Sequence, residues 1–97
     1  MKIKVTGYLR FRGVIGHEAS LELETEKATL RDALRVLCNQ HGERFESILC
    51  DPLSKEIKRS NLILLNGRPY LSLATQLDIE LKDGDEITFC PVLAGGQ

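Results

Sequence analysis

Leu81-Lys82-Asp83-Gly84-Asp85-Glu86-Ile87-Thr88-Phe89-Cys90-Pro91-Val92-Leu93-Ala94-Gly95-Gly96 reads as a turn, a strand and a tail. Asp83-Gly84-Asp85 is turn chemistry: two short acceptors flank a residue that tolerates positive φ. From Glu86 to Val92 apolar groups alternate with others. Ile87 and Phe89 share one parity, and Thr88 and Cys90 the other. Pro91 lacks an N–H and is expected to end regular pairing. Gly95 and Gly96 offer nothing to pack and cost the most entropy to order, so the segment after the strand reads as a tail held ready for a narrow site.

The rest of the chain supplies partners for that strand. Residues 2–9 read as a strand, with Ile3, Val5 and Leu9 inward and Lys4, Thr6 and Tyr8 outward. Gly7 interrupts it and permits a twist or bulge. Residues 10–19 read as a connection to a second strand at 20–25, where Leu21 and Leu23 face in, and the two strands are expected to pair as a hairpin. Thr29 with Asp32 resembles a capping box. Leu30, Ala33, Leu34, Leu37 and Cys38 then repeat at the spacing of one buried helix face, and Gly42 is a natural stop. Residues 43–60 are harder to read. Phe45, Ile48 and Leu49 suggest a short helical turn, Asp51-Pro52 a turn, and 55–59 an exposed charged run. Residues 61–65 form an apolar strand, Asn66-Gly67 a tight turn, and 68–70 an edge strand. Leucines in 71–81 are expected to plug one end of the core.

Strand, strand, helix, strand, short strand, strand is the order of an α+β ubiquitin-like β-grasp. It predicts a mixed four- to five-stranded sheet with one main helix packed on one face. The first and last strands should be parallel neighbours at its centre. We expect a domain over 1–93 and a flexible diglycine tail over 94–97. Among 97 residues, 13 basic and 14 acidic side chains give a net charge of −1, with no push toward nucleic acid or an anionic membrane. There is no apolar run of signal-peptide or membrane-span length, so the expected location is cytoplasmic. Cys38, Cys50 and Cys90 are odd in number and widely spaced, which argues against a disulfide framework or a zinc ribbon.

The quoted stretch resembles the closing motif of the β-grasp sulfur carriers, L-x-D-G-D-E-V-x-F-x-P-P-V-x-G-G. That family includes the small subunit of molybdopterin synthase and the thiamine-biosynthesis sulfur carrier. Leu64-Leu65-Asn66-Gly67 resembles the family's V-N-G turn. The specific part of the resemblance is 81–96; the remainder follows in order of elements. Val92 replaces the second proline, which loosens the tail slightly.

The resemblance implies a carrier or cosubstrate rather than an enzyme, either free or as the small subunit of a synthase complex, with no bound cofactor. An adenylating enzyme of the ubiquitin-activating type would spend ATP on the carboxylate of Gly96, and a sulfur donor would convert it to a thiocarboxylate. Gly95 and Gly96 suit a channel that a Cβ would crowd. Six extended residues from Pro91 would reach about 20 Å. Tyr8, Thr88, Cys90, Pro91, Val92, Leu93 and Ala94 are the candidate partner-binding residues, beside a synthase large subunit or the activating enzyme. In 62–65 both parities are apolar, so one pair must face away from the helix, as a docking patch or as ordinary cross-strand packing.

Gln97 stands after Gly96 and holds its carbonyl as an amide. Three readings stay open: a trimming peptidase removes it, the diglycine is vestigial, or another processing route applies. Conjugation to lysines through Gly96 and a purely non-covalent binding module are the alternative functions. His17 and His41 are too far apart in sequence from other ligands to suggest a metal site. The cysteine spacing does not match that of plant-type ferredoxins.

Overall fold

The computed structural model describes residues 1–92; the expected site residues Leu93, Ala94, Gly95, Gly96 and Gln97 lie outside the described residues. Five strands form one sheet in the order β2-β1-β5-β3-β4. They are β1 Lys2–Gly7, β2 Glu18–Glu22, β3 Asn61–Leu65, β4 Arg68–Pro69 and β5 Glu86–Pro91. β1 and β5 run parallel at the centre, with Val5 opposite Ile87 and Thr6 opposite Thr88. All other pairings are antiparallel. This is the β-grasp arrangement expected from the order of elements.

The main helix, α2 Leu30–His41, begins at the expected residue for the expected reason. Thr29 Oγ1 accepts from the Asp32 N–H, and the Asp32 carboxylate accepts from the Thr29 N–H, so two otherwise orphaned donors are satisfied. Gly42 ends it at φ +67°, a conformation that a side chain would oppose. Leu30, Ala33, Leu34 and Leu37 pack on Ile3, Val5, Ile63, Leu65, Ile87 and Phe89, the inward row of the three central strands. Cys38 is only partly buried at the margin of that core.

Several expectations are corrected. Leu9 does not continue the inward row of β1. The strand ends at Gly7, the chain turns at Leu9 with φ +55°, and Leu9 is 57% exposed. Phe11 takes the core position instead and is fully buried against Phe45 and Phe89. The connection 10–19 is not plain loop, because it holds a helical turn, α1 Arg12–Ile15, and the start of β2. β2 thus begins two residues earlier than expected and ends at Glu22; Leu23 is buried just beyond it, its N–H donating to Met1 O.

The single turn foreseen in 43–60 is a two-turn helix, α3 Glu43–Leu49, which buries Phe45 and Leu49. Of the leucines in 71–81, Leu81 is buried and Leu73 and Leu77 pack partly, whereas Leu71 is exposed on a 3-10 turn, Tyr70–Ser72. Pro91 does not end pairing: it is buried opposite Asn61, and the Val92 N–H donates to Ser60 O at 2.6 Å.

Candidate functional site at the tail exit and open sheet face

Both sheet faces cannot be covered by helices that all lie on one side. On the face opposite the buried row, Lys4 is exposed, Leu62, Leu64, Thr88 and Cys90 are half-buried, and Thr6 is buried. Pairing register decides how these residues are grouped. Leu62 stands opposite Cys90, and Leu64 opposite Thr88, which in turn faces Thr6 and then Glu18. The Tyr8 N–H donates to Phe89 O at 3.0 Å, which sets Tyr8 beside the end of β5. Its ring is 43% exposed and meets the exposed His17 edge-on at 5.5 Å between centroids.

The open face is therefore divided. Toward the end where β5 leaves the sheet it is apolar: Leu62, Leu64, Cys90, Tyr8, and Val92, which is 51% exposed. Toward the other end it is charged. Lys4 Nζ lies 3.7 Å from Glu18 and 3.9 Å from Glu86, and Thr6 Oγ1 donates to Glu86 at 3.0 Å. These pairs are about half exposed, so each contributes little to stability. They do mark out where the apolar patch stops.

Of the residues expected to meet a partner, Tyr8, Thr88, Cys90 and Val92 come together on this face. Pro91 does not, since its ring is buried in the body. Its contribution is to fix the strand end from which 93–97 continue. Sequence reasoning missed His17 and the Lys4–Glu18–Glu86 group. Outward parity flagged Lys4, but its meeting with Glu86 depends on the β1–β5 register. Cys90 makes only a weak contact to Pro91 O at 3.4 Å. Cys38 and Cys50 lie elsewhere, on the helical side, where burial pushes both thiols up from their ordinary range. Among the described residues no cluster of three or more His, Cys, Asp or Glu could hold a metal. No helix there is long and apolar enough to cross a membrane.

A family model described as the ThiS family matches residues 9–96. The chain belongs to the ThiS family. It is similar to an Archaeoglobus fulgidus protein named "Putative sulfur carrier protein", 31% identical over 80 residues, which are 82% of this chain and 88% of that one. Among solved structures it resembles the small archaeal modifier protein 1 of Methanosarcina acetivorans, at 29% identity and a TM-score of 0.75, over 98% of this chain and 96% of that one. It equally resembles a Pyrococcus furiosus protein named "Putative molybdopterin converting factor, subunit 1", at 29% identity and a TM-score of 0.72, over 96% and 99%. The resemblance drawn from 81–96 and the β-grasp drawn from the order of elements thus hold. In ThiS-family terms, the apolar patch lies beside the strand that leads into the diglycine.

Proposed function

We propose that this chain is a sulfur carrier whose reactive group is the Gly96 carboxylate, freed by hydrolysis of the Gly96–Gln97 amide. A carboxylate is a poor acyl donor until one oxygen becomes part of a leaving group. In the proposed sequence that oxygen attacks the α-phosphorus of ATP and pyrophosphate departs. A sulfide-level donor then attacks the acyl carbon, the C–O bond to AMP breaks with its electron pair leaving on AMP, and loss of a proton leaves a thiocarboxylate. The activating enzyme supplies the nucleotide site and the sulfur donor supplies the sulfur. This chain supplies an acyl group and a docking body, and binds no cofactor of its own. Such work requires ATP, which suits a cytoplasmic carrier.

The observation that carries this reading is the junction of β5 with the tail. Pro91 is buried and paired, and Val92 is tied to Ser60, beside an apolar open face. The free reach is thereby shorter than six residues: 93–96, if extended, would span about 13 Å. A partner must therefore seat on Leu62, Leu64, Cys90 and Tyr8 closely enough for Gly96 to enter its site. Family membership supports the carrier role, and the Archaeoglobus relative's name agrees with it.

The experiment is intact-mass spectrometry of the chain with a trimming peptidase, an adenylating enzyme, ATP and a sulfur source. Loss of everything after Gly96, followed by one oxygen-to-sulfur exchange, is the expected result. A chain trimmed to Gly96 that the cognate enzyme adenylates but that never gains sulfur refutes it. The Methanosarcina neighbour's name favours a second reading, conjugation to lysines through Gly96. Gly-Gly remnants on cellular lysines distinguish that reading, and full function of Gly96→Ala would point to a non-covalent module.

A further inference from the structure

A groove of about 900 Å³ lies on the helical side of the sheet. Its apolar floor is Leu34 of α2, Leu49 of α3, Ile57, Tyr70 and Leu77. Its rim is basic: Arg31, Arg35, Lys55, Lys58 and Arg59 line it, against the single acid Glu56. In a chain of net charge −1 this is a local excess of cations. Arg31 and Arg35 are partly neutralised by Asp78 and Asp32. Among the described residues Lys55, Lys58 and Arg59 have no carboxylate within salt-bridge distance.

The rim is built in advance. Asp51 N–H donates to Glu56 O and Lys55 N–H to Asp51 O, both at 2.8 Å. The Asp51 carboxylate accepts from the Leu53 and Ser54 N–H groups, and Lys58 N–H closes on Leu49 O at 2.9 Å. A loop fixed this way loses little entropy when it binds. Asn61, 8% exposed and also in the lining, spends its Nδ2 on Ile48 O and Leu49 O and leaves Oδ1 without a partner among the described residues. Buried acceptors are seldom left so.

We propose that this groove docks an acidic, leucine-bearing segment of a partner protein, with carboxylates on Lys55, Lys58 and Arg59 and aliphatic side chains on the Leu34–Ile57–Leu77 floor. A free inorganic anion would leave that floor wet, and a nucleic-acid strand would find only the Tyr70 ring to stack on. The groove shares none of Tyr8, Leu62, Leu64 and Cys90 with the open face, although Arg59 and Asn61 of its lining flank Ser60, which holds Val92. The proposal does not rest on the carrier reading.

The test is an NMR titration of the isotope-labelled full chain with a short synthetic peptide of alternating glutamate and leucine. A matching peptide with lysine for glutamate is the control. Shifts are expected at the amides of Cys38, Cys50, Ile57 and Leu77 with the acidic peptide alone. The exposed double variant Lys55→Glu/Arg59→Glu should weaken binding by about tenfold or more while leaving the remaining spectrum intact. Equal response to both peptides, shifts confined to Thr88 and Cys90, or no response at all would overturn the assignment. Shifts at the groove that grow with protein concentration without peptide would also overturn it, in favour of a second copy of this chain.

Discussion

Replacing Gly7 with alanine places one methyl group where the fold has no room for it. An ideal Cβ at Gly7 would lie 2.8 Å from Gly16 O, 2.9 Å from Ile15 Cγ1 and 3.1 Å from the Arg12 backbone N. Two of those three atoms are backbone and cannot rotate away. Relief requires α1 to move, yet α1 is held by Phe11 and Ile15, both in the core. It is also held by the Gly7 N–H, which donates to His17 O at 3.1 Å. Overpacking of this kind costs about 1–3 kcal/mol. Against it stands the usual gain of about 0.5–1 kcal/mol when a strand glycine becomes alanine and the unfolded chain loses freedom. The net expectation is a loss of about 1.5 kcal/mol, which lowers the melting temperature by roughly 6–12 °C for a domain of this size.

Urea and thermal unfolding measure that loss directly, and Gly13→Ala is the matched control. Gly13 sits within α1, and nothing stands within 4 Å of the Cβ it would carry. Alanine there should stabilise by about 0.5–1 kcal/mol. A Gly7→Ala chain as stable as the parent, or a Gly13→Ala chain equally damaged, would refute the argument that α1 packs on a bare backbone at Gly7.

Two further outcomes are expected. Hydrogen bonds from the Thr29 backbone and then its hydroxyl hold the Asp32 carboxyl below its ordinary pKa of 3.8, and the Ser54 and Leu53 N–H groups do the same for Asp51. A depressed carboxyl contributes stability that is present above pH 3.8 and is lost as pH falls through its folded value. Urea midpoints of Asp32→Asn and Asp51→Asn chains should therefore fall less than the parent's between neutral pH and about pH 3; an equal fall in all three contradicts the assignment. Asn66→Gly keeps the positive φ that this turn position needs but removes the bonds from Nδ2 to Asp85 and from the Glu86 N–H to Oδ1. It should cost about 1–2 kcal/mol in chemical denaturation, and no loss would show that the turn alone sets the register.

What the sequence made legible tracks how local each signal is. α2 carries its own start, period and stop within a few turns, so Thr29, Asp32 and Gly42 sufficed. The parallel β1–β5 centre followed from the order of elements together with two strong apolar alternations. α1 was hidden because Phe11 precedes it with no side-chain cap, and because Leu9 continues the strand parity that the backbone abandons at φ +55°. α3 was legible only as a short turn at Phe45, Ile48 and Leu49, because the glycine that stops α2 also starts it, again without a capping side chain. In 62–65 parity showed only that one apolar pair must face away; that the pair is Leu62 and Leu64 follows from the burial of Ile63 and Leu65. Their alignment with Cys90 and Thr88, and the charged half beyond, required a register that no single strand encodes.

The register itself has a source, and it changes what the closing motif means. Asp83 Oδ1 accepts from the Lys2 N–H at 2.7 Å, and the Gly84 N–H donates to Lys2 O at 2.8 Å. Asp85 O accepts from the Lys4 N–H at 2.9 Å, while its carboxylate takes the Lys82 N–H and the Asn66 amide. The Glu86 N–H returns to Asn66 Oδ1 at 2.9 Å. D-G-D-E and N-G thus form one clasp that joins the start of β1, the β3–β4 turn and the start of β5. A slip of one residue in β5 would turn Ile87 and Phe89 out of the core, so the clasp and the buried row enforce the same register. That register puts Pro91 opposite Asn61 and brings the strand out beside Leu62, Cys90 and Tyr8. The residues that make the motif recognisable are therefore not those proposed to react. They lie at the far end of β5, and their work is to decide where the diglycine leaves the body.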